Sequence, residues 1–186
     1  MKFTLSWLKQ HLDTEENINT ILRKLTDIGL EVENSYNPAE ILDGFVAAKI
    51  ISTRPHPDAD RLRLCLVDTG TEEIEIVCGA KNAVKGLTTV YAPIGMTIPQ
   101  SGIKLKKAKI RGVESLGMLC SKQELNLGDD SDGIAELSSK ISSGTPVSEA
   151  LDIDDTYIEI AITPNRPDCL GVYGIARDLS AAGLGK

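Results

Sequence analysis

Leu62-Arg63-Leu64-Cys65-Leu66-Val67-Asp68-Thr69-Gly70-Thr71-Glu72-Glu73-Ile74-Glu75-Ile76-Val77-Cys78 sets the fold class of this 186-residue chain. Two β-rich runs, 62–68 and 73–78, flank Asp68-Thr69-Gly70. Those three residues carry turn chemistry: Asp bonds its own backbone, and Gly accepts a left-handed conformation. Ile74 and Ile76 alternate with Glu73 and Glu75, the period of a strand with one wet face. Similar runs lie at 45–52 and 88–92, with further candidates at 107–113 and 117–120. Pro55-His56-Pro57, Gly79 and Lys85-Gly86 punctuate them. Several short strands at this spacing predict a small barrel or sandwich over residues 39–151. Ser121 and Glu124 have capping-box spacing, which predicts one short helix over 122–127, ended by Gly128. Asp129-Asp130-Ser131-Asp132-Gly133 reads as a solvated acidic loop, without the register or distant glutamate of a calcium-binding EF-hand.

The flanks read differently. Ser6 is placed to cap a helix through Trp7, Leu8 and Leu12, and Asp13 with Glu16 to cap a second. Ile18, Ile21, Leu22, Leu25 and Ile28 recur at three- and four-residue steps, an apolar stripe stopped by Gly29. A strand is expected over 30–36 and another over 157–162. After Thr163-Pro164-Asn165-Arg166-Pro167-Asp168 comes a helix rich in small residues: Gly171, Gly174, Ala176, Ala181 and Ala182. Segments 1–38 and 152–186 are each too short to bury an adequate core, since pieces below about 40 residues rarely fold unaided. Together they predict one split α+β domain, with residues 39–151 inserted as a second domain.

Composition narrows the function. Hydrophobic residues make up 41% and charged residues 25%, ordinary for a globular protein. No run approaches the roughly 18 apolar residues of a membrane span, and the N-terminal apolar stretch is cut short by Lys9. A cytoplasmic protein without membrane partners is expected. Cys65, Cys78, Cys120 and Cys169 are widely spaced among apolar neighbours and read as buried free thiols. His11 and His56 are far apart, so no metal-ligand spacing is present. No nucleophile elbow, phosphate loop or zinc-protease motif occurs. His56, between two prolines, reads as a loop residue fixing a turn or as a substrate contact.

The net charge is −7, which excludes a uniformly basic nucleic-acid coat. Within this acidic chain, Lys104-Leu105-Lys106-Lys107-Ala108-Lys109-Ile110-Arg111 holds five cations and no acid. Such a run is either a solvated face or a phosphate-attracting one. A second group, Lys49, Arg54, Arg61 and Arg63, lies on or beside the first candidate strands and could join it on one face. Phe45 and Tyr91 are the only aromatics between residues 39 and 151. Single-strand platforms stack bases on several rings, so a folded RNA read through its backbone fits better.

Specific motifs extend this reading. Met1-Lys2-Phe3-Thr4-Leu5-Ser6-Trp7-Leu8, Ile28-Gly29-Leu30-Glu31-Val32-Glu33 and Thr163-Pro164-Asn165-Arg166-Pro167-Asp168-Cys169-Leu170 resemble the N-terminal portion of the bacterial phenylalanyl-tRNA synthetase beta subunit family. His56-Pro57-Asp58-Ala59-Asp60-Arg61-Leu62, Val77-Cys78-Gly79-Ala80-Lys81-Asn82 and Gly117-Met118-Leu119-Cys120-Ser121 resemble the tRNA-binding OB-fold domain within it. The resemblance implies a five-stranded OB-fold β-barrel inserted into a small split α+β domain. It implies tRNA as partner, with the alpha subunit and the remainder of beta in an α2β2 ligase. Catalysis, editing, ATP and magnesium binding are expected outside residues 1–186, leaving a non-catalytic fragment with no cofactor of its own. It points to Arg61, Arg63, Lys81, Asn82, Lys104, Lys106, Lys107, Lys109, Arg111, Ser121 and Lys122 as RNA-binding residues. A docking module for synthetase assembly remains an alternative, as does a free-standing tRNA-binding protein, which the flanks disfavour.

Overall fold

Side-chain caps decide where the first helices begin. In the computed structural model, which describes residues 1–186, strand β1 (Lys2–Thr4) runs straight into helix α1 (Leu5–Lys9). Thr4 caps it, accepting the Trp7 N–H at 3.3 Å. Ser6, the expected cap, instead donates to Asp155 at 2.5 Å. Helix α2 (Ile18–Asp27) is capped by Asn17, whose Oδ1 accepts the Thr20 N–H at 3.0 Å, rather than by Asp13 with Glu16. The cap sits immediately before the apolar stripe because helix formation tracks the face that can be buried. Gly29 closes the helix at φ +87°.

Then follow β2 (Val32–Tyr36), α3 (Pro38–Ile41), β3 (Val46–His56), β4 (Ala59–Asp68), β5 (Glu73–Cys78), β6 (Thr88–Ala92), β7 (Ala108–Ile110), β8 (Val113–Ser115) and β9 (Met118–Cys120). The chain ends with α4 (Val147–Leu151), β10 (Tyr157–Ile160), a 3-10 turn (Pro167–Leu170) and α5 (Val172–Ala181). Contacts divide it into two units: Met1–Pro38 with Asp154–Lys186, and Ala39–Ile153.

In the split unit, β10 lies between β1 and β2 in an antiparallel sheet. Ile21 and Leu25 of the stripe are fully buried against Ile158, Ile160, Ile175 and Leu179. Each such aliphatic contributes about 1.5–3 kcal/mol on burial. Neither segment carries enough of these side chains alone. The two are also stitched by backbone: Asp13 and Lys186 exchange hydrogen bonds of 2.9 and 3.1 Å.

The second unit is built on a five-stranded antiparallel sheet in the order β5-β4-β3-β6-β9. Apolar side chains cover both faces. Ala48, Ile50, Cys65, Val67, Ile74, Ile76 and Leu119 form one core. Phe45, Val90, Ala92, Cys120, Leu125 and Val147 form the other. Strand β6 is therefore buried at every position. The expected barrel does not close, since β5 and β9 are both edges of the sheet. Strand β9 has only three residues, and β7 and β8 pair with each other as a separate ribbon. Two bonds reach the free edge of β5: Val77 N–H to Ser115 Oγ at 3.2 Å, and Leu116 N–H to Glu75 O at 3.3 Å.

Two further expectations are corrected. Strand β3 does not stop near Ser52 but runs on through Pro55 to His56, which pair with Arg63 and Ala59 of β4 across a register shift that accommodates the proline. Residues 122–127 form turns, not a helix. The capping box is present, with Glu124 accepting from both Ser121 N–H (2.7 Å) and Ser121 Oγ (2.8 Å). Asn126 then turns left-handed at φ +55°, too soon for the costly first helical turn to be followed by others. No helix is long and apolar enough to cross a membrane.

Candidate nucleic-acid interface

The basic run is organised by a hairpin. Strands β7 and β8 are joined by Arg111-Gly112, with φ +46° and +86°, the geometry of a two-residue type I′ turn. Lys109 lies opposite Glu114, and Lys107 pairs with Glu114 at 3.0 Å. This ribbon is anchored by the turn between β3 and β4. His56 is buried, and its Nδ1 accepts the Asp58 N–H at 3.1 Å. Nε2 therefore carries the hydrogen, and it donates to Ile110 O at 3.0 Å. Arg111 also donates to Asp58 O at 3.4 Å. His56→Ala should leave Ile110 O without its donor and loosen the ribbon by about 1–2 kcal/mol. Amide exchange across β7–β8 is expected to accelerate roughly tenfold, while exchange in β3 and β6 stays unchanged.

Arg61 and Arg63 are two residues apart on β4 and so share a face. Arg63 pairs across the ladder with Pro55 and with Cys78, and its guanidinium donates to Ala83 O at 3.3 Å. It thus reaches the loop after β5, which carries exposed Lys81. Arg61, Arg63, Lys81 and the ribbon tip with Lys109 and Arg111 gather at one end of the sheet, where β3 turns into β4 and β5 finishes.

The rest of the second basic group does not join them. A bulge at Ile51 lets Lys49, Ser52 and Arg54 oppose Asp68, Leu66 and Leu64, alternate residues of β4. Lys49 and Arg54 therefore occupy the face opposite to Arg61 and Arg63. Arg54 is held there by Glu75 at 2.6 Å, and Lys49 sits at the far end of the strand. The sequence could not show this, because one inserted residue inverts the face of everything beyond it.

The other candidate residues are dispersed. Lys104 and Lys106 are exposed on either side of Leu105, whose N–H bonds Met96 O at 2.7 Å and whose side chain packs on the core. Asn82 is occupied structurally: its amide donates to Ile134 O (2.9 Å) and Glu136 (3.0 Å), and its carbonyl accepts Ile134 N–H (3.0 Å). Ser121 is buried on Glu124. Lys122 lines a pocket with Asp130, Asp132 and Glu136. An adjoining open cleft of about 750 Å³ is lined by Cys78, Lys81, Gln100, Gln123 and Glu124, among others. The sequence reading missed the hairpin because Arg-Gly departs from the usual Asn-Gly signal.

In the split unit, Arg166, Arg177, Asp168 and Asp178 form a closed network, with Arg166 on Asp168 at 3.3 Å and Arg177 on Asp178 at 2.9 Å. Arg166 and Arg177 hold the Asp168 carboxyl down at about 2. Asp168, Cys169 and Asp178 have ligand spacing. Two guanidiniums already fill that site, so it does not fit a divalent cation.

With this arrangement established, residues 45–146 match the sequence profile of the family described as a putative tRNA binding domain. The chain belongs to that family. The match covers most of the unit holding the sheet and the ribbon. Over its whole length the chain is 55% identical to the phenylalanine–tRNA ligase beta subunit of Rhodospirillum rubrum and 54% identical to that of Paramagnetospirillum magneticum, covering 23% of each. It thus spans about a quarter of the length of these curated relatives. A MetRS-related protein from Pyrococcus horikoshii aligns with 54% of this chain and 85% of its own, at 22% identity and a TM-score of 0.40.

Proposed function

We propose that this chain is the N-terminal, non-catalytic tRNA-binding part of a phenylalanine–tRNA ligase beta subunit, and that its sheet and ribbon act as an incompletely closed OB-type module. The relatives of over 50% identity support the placement in the ligase. One observation carries the RNA reading: His56 and Asp58 clasp the ribbon tip, bringing Lys109 and Arg111 to the same end of the sheet as Arg61, Arg63 and Lys81. Five cations at one edge of an acidic molecule form a local phosphate-binding surface. Scarcity of rings in this unit favours backbone and shape over base stacking. In the assembled ligase the partners are the alpha subunit and the rest of beta, which supply the aminoacylation chemistry.

Titration of the chain with tRNA at several salt concentrations tests this. Neutralising about five phosphates gives a slope of log affinity on log salt near −4. Binding that is absent, or indifferent to salt, overturns the proposal.

A second role is favoured for the split unit. Tyr36 and Tyr157 stack at 5.3 Å on its sheet, each a little under half exposed, and Tyr173 is 71% exposed. Exposed aromatics on an acidic unit suit docking to protein better than to RNA.

A further inference from the structure

The cleft beside Lys81 adjoins the cationic end of the sheet, and phosphate binding leaves it unused. Its floor is apolar: Leu119 and Ile134 are buried there, and Met118 is half-buried. Its walls are tied together through the main chain. The Gln100 N–H donates to Glu124 O at 3.1 Å, the Gln123 N–H to Asp130 O at 3.1 Å, and the Asn82 amide to Ile134 O at 2.9 Å. The side chains these walls present are uncommitted. Neither the Gln100 nor the Gln123 amide group has a partner within the chain. Ser121 bonds Glu124 through Oε2 alone, which leaves Oε1 able to accept. A concave, preformed site with an apolar floor and a few convergent polar groups has the form of a small-ligand pocket. Glu124 and Asp132 repel a phosphate from it. What fits is a flat, uncharged group with N–H donors on one edge and acceptors on another, which is the chemistry of a nucleobase.

We infer that this cleft takes one unpaired guanine of the bound RNA, read by its edges, with the adjoining phosphate on Lys81. The inference rests on the tRNA reading above and adds a base-specific contact to it. Guanine sets its ring N1–H beside its 2-amino group, two donors for Glu124 Oε1. Its O6 and N7 are acceptors for the amides of Gln100 and Gln123. Uracil has no amino group, and adenine and cytosine carry a ring acceptor where guanine has N1–H, so each sets a lone pair against the carboxylate or leaves it without a donor. The Met118 thioether supplies a polarisable contact for the ring face. Edge reading of a splayed, unpaired base needs no aromatic platform, which agrees with the scarcity of rings in this unit.

Guanosine and inosine 5′-monophosphates differ only in the 2-amino group, so together they separate base reading from phosphate binding. Titrated into the whole chain, the guanosine nucleotide should shift the NMR signals of the Gln100 and Gln123 side-chain amides and of the Met118 methyl. Its Kd should be about tenfold below that of the inosine nucleotide, which loses a hydrogen bond to a charged acceptor. Gln100→Ala combined with Gln123→Ala should weaken tRNA binding about tenfold and leave the salt slope unchanged, since no charge is removed. The urea midpoint should stay in place, because neither amide group bonds the protein. Equal affinity for the two nucleotides, no shift with either, or shifts confined to the ribbon overturns the inference. So does full tRNA affinity in the double variant, and salt-dependent binding by that variant would leave the tRNA reading standing. Absence of any salt-dependent tRNA binding would instead overturn that reading.

Discussion

The combined change Lys107→Ala, Lys109→Ala, Arg111→Asn should weaken tRNA binding on the order of 10- to 100-fold and make its salt dependence shallower by two to three units of slope. The three side chains are exposed and sit on the ribbon, so their loss removes phosphate contacts without opening a core. The Lys107–Glu114 pair is exposed on both sides, and such pairs contribute little to folding. Asn is chosen at position 111 because it tolerates the φ of +46° required there, whereas Ala would strain the turn. Thermal stability should therefore change little. Lys49→Ala with Arg54→Ala is the matched control, removing equal charge per site from the opposite face. It should leave most of the affinity in place. Equal losses from both faces would mean that RNA responds to net charge and not to the ribbon end of the sheet. Full retention of tRNA by the triple variant would remove the ribbon from the interface.

The largest effect on stability is expected from Gly174→Ala in α5. A Cβ at this position would lie 1.9 Å from Asp168 O and 2.8 Å from Asp168 C. Both are backbone atoms of the 3-10 turn, so no side-chain rotation relieves the clash. Either α5 or the turn has to move, and the turn carries Asp168, which Arg166 and Arg177 clamp from two sides. A loss of about 3 kcal/mol or more is expected, in the range of overpacked cores with a broken ionic network. Trp7, the only tryptophan of the chain, belongs to the same unit, so its fluorescence in a urea titration reports this unit selectively. Gly171→Ala is the control. Its φ is −127° and nothing lies within 4 Å of the added carbon. Its effect should stay within about 0.5 kcal/mol. An equal, small effect at both positions would contradict the packing of α5 on the turn.

Much of the architecture was readable in the chain because periodicity reports burial. The stripe from Ile18 to Ile28 is the face that α2 buries, and Glu73–Cys78 is a strand with the expected bounds. Boundaries were less legible where several residues compete for one role. Thr4, Ser6, Asn17 and Asp13 are all capable caps, and only the packing of each helix selects among them. Residues 122–127 carry a sound capping box but too little chain to repay helix nucleation. The barrel was overread because short strands predict a sheet, while closure depends on whether its two edges meet.

The interface divides in the same way. The sequence by itself determined that positive charge is concentrated in 104–111, in an acidic chain with few rings in its middle segment, and that this segment is β-rich. Charge and periodicity are local properties, carried by neighbouring residues. The tertiary structure alone decided which cations share a surface. A one-residue bulge at Ile51 sends Lys49 and Arg54 to one face and leaves Arg61 and Arg63 on the other. A single imidazole, held between Asp58 and Ile110, draws the ribbon to the second group. Strand register and long-range hydrogen bonds are set by the packing of the whole sheet, so a linear reading of residue types does not contain them.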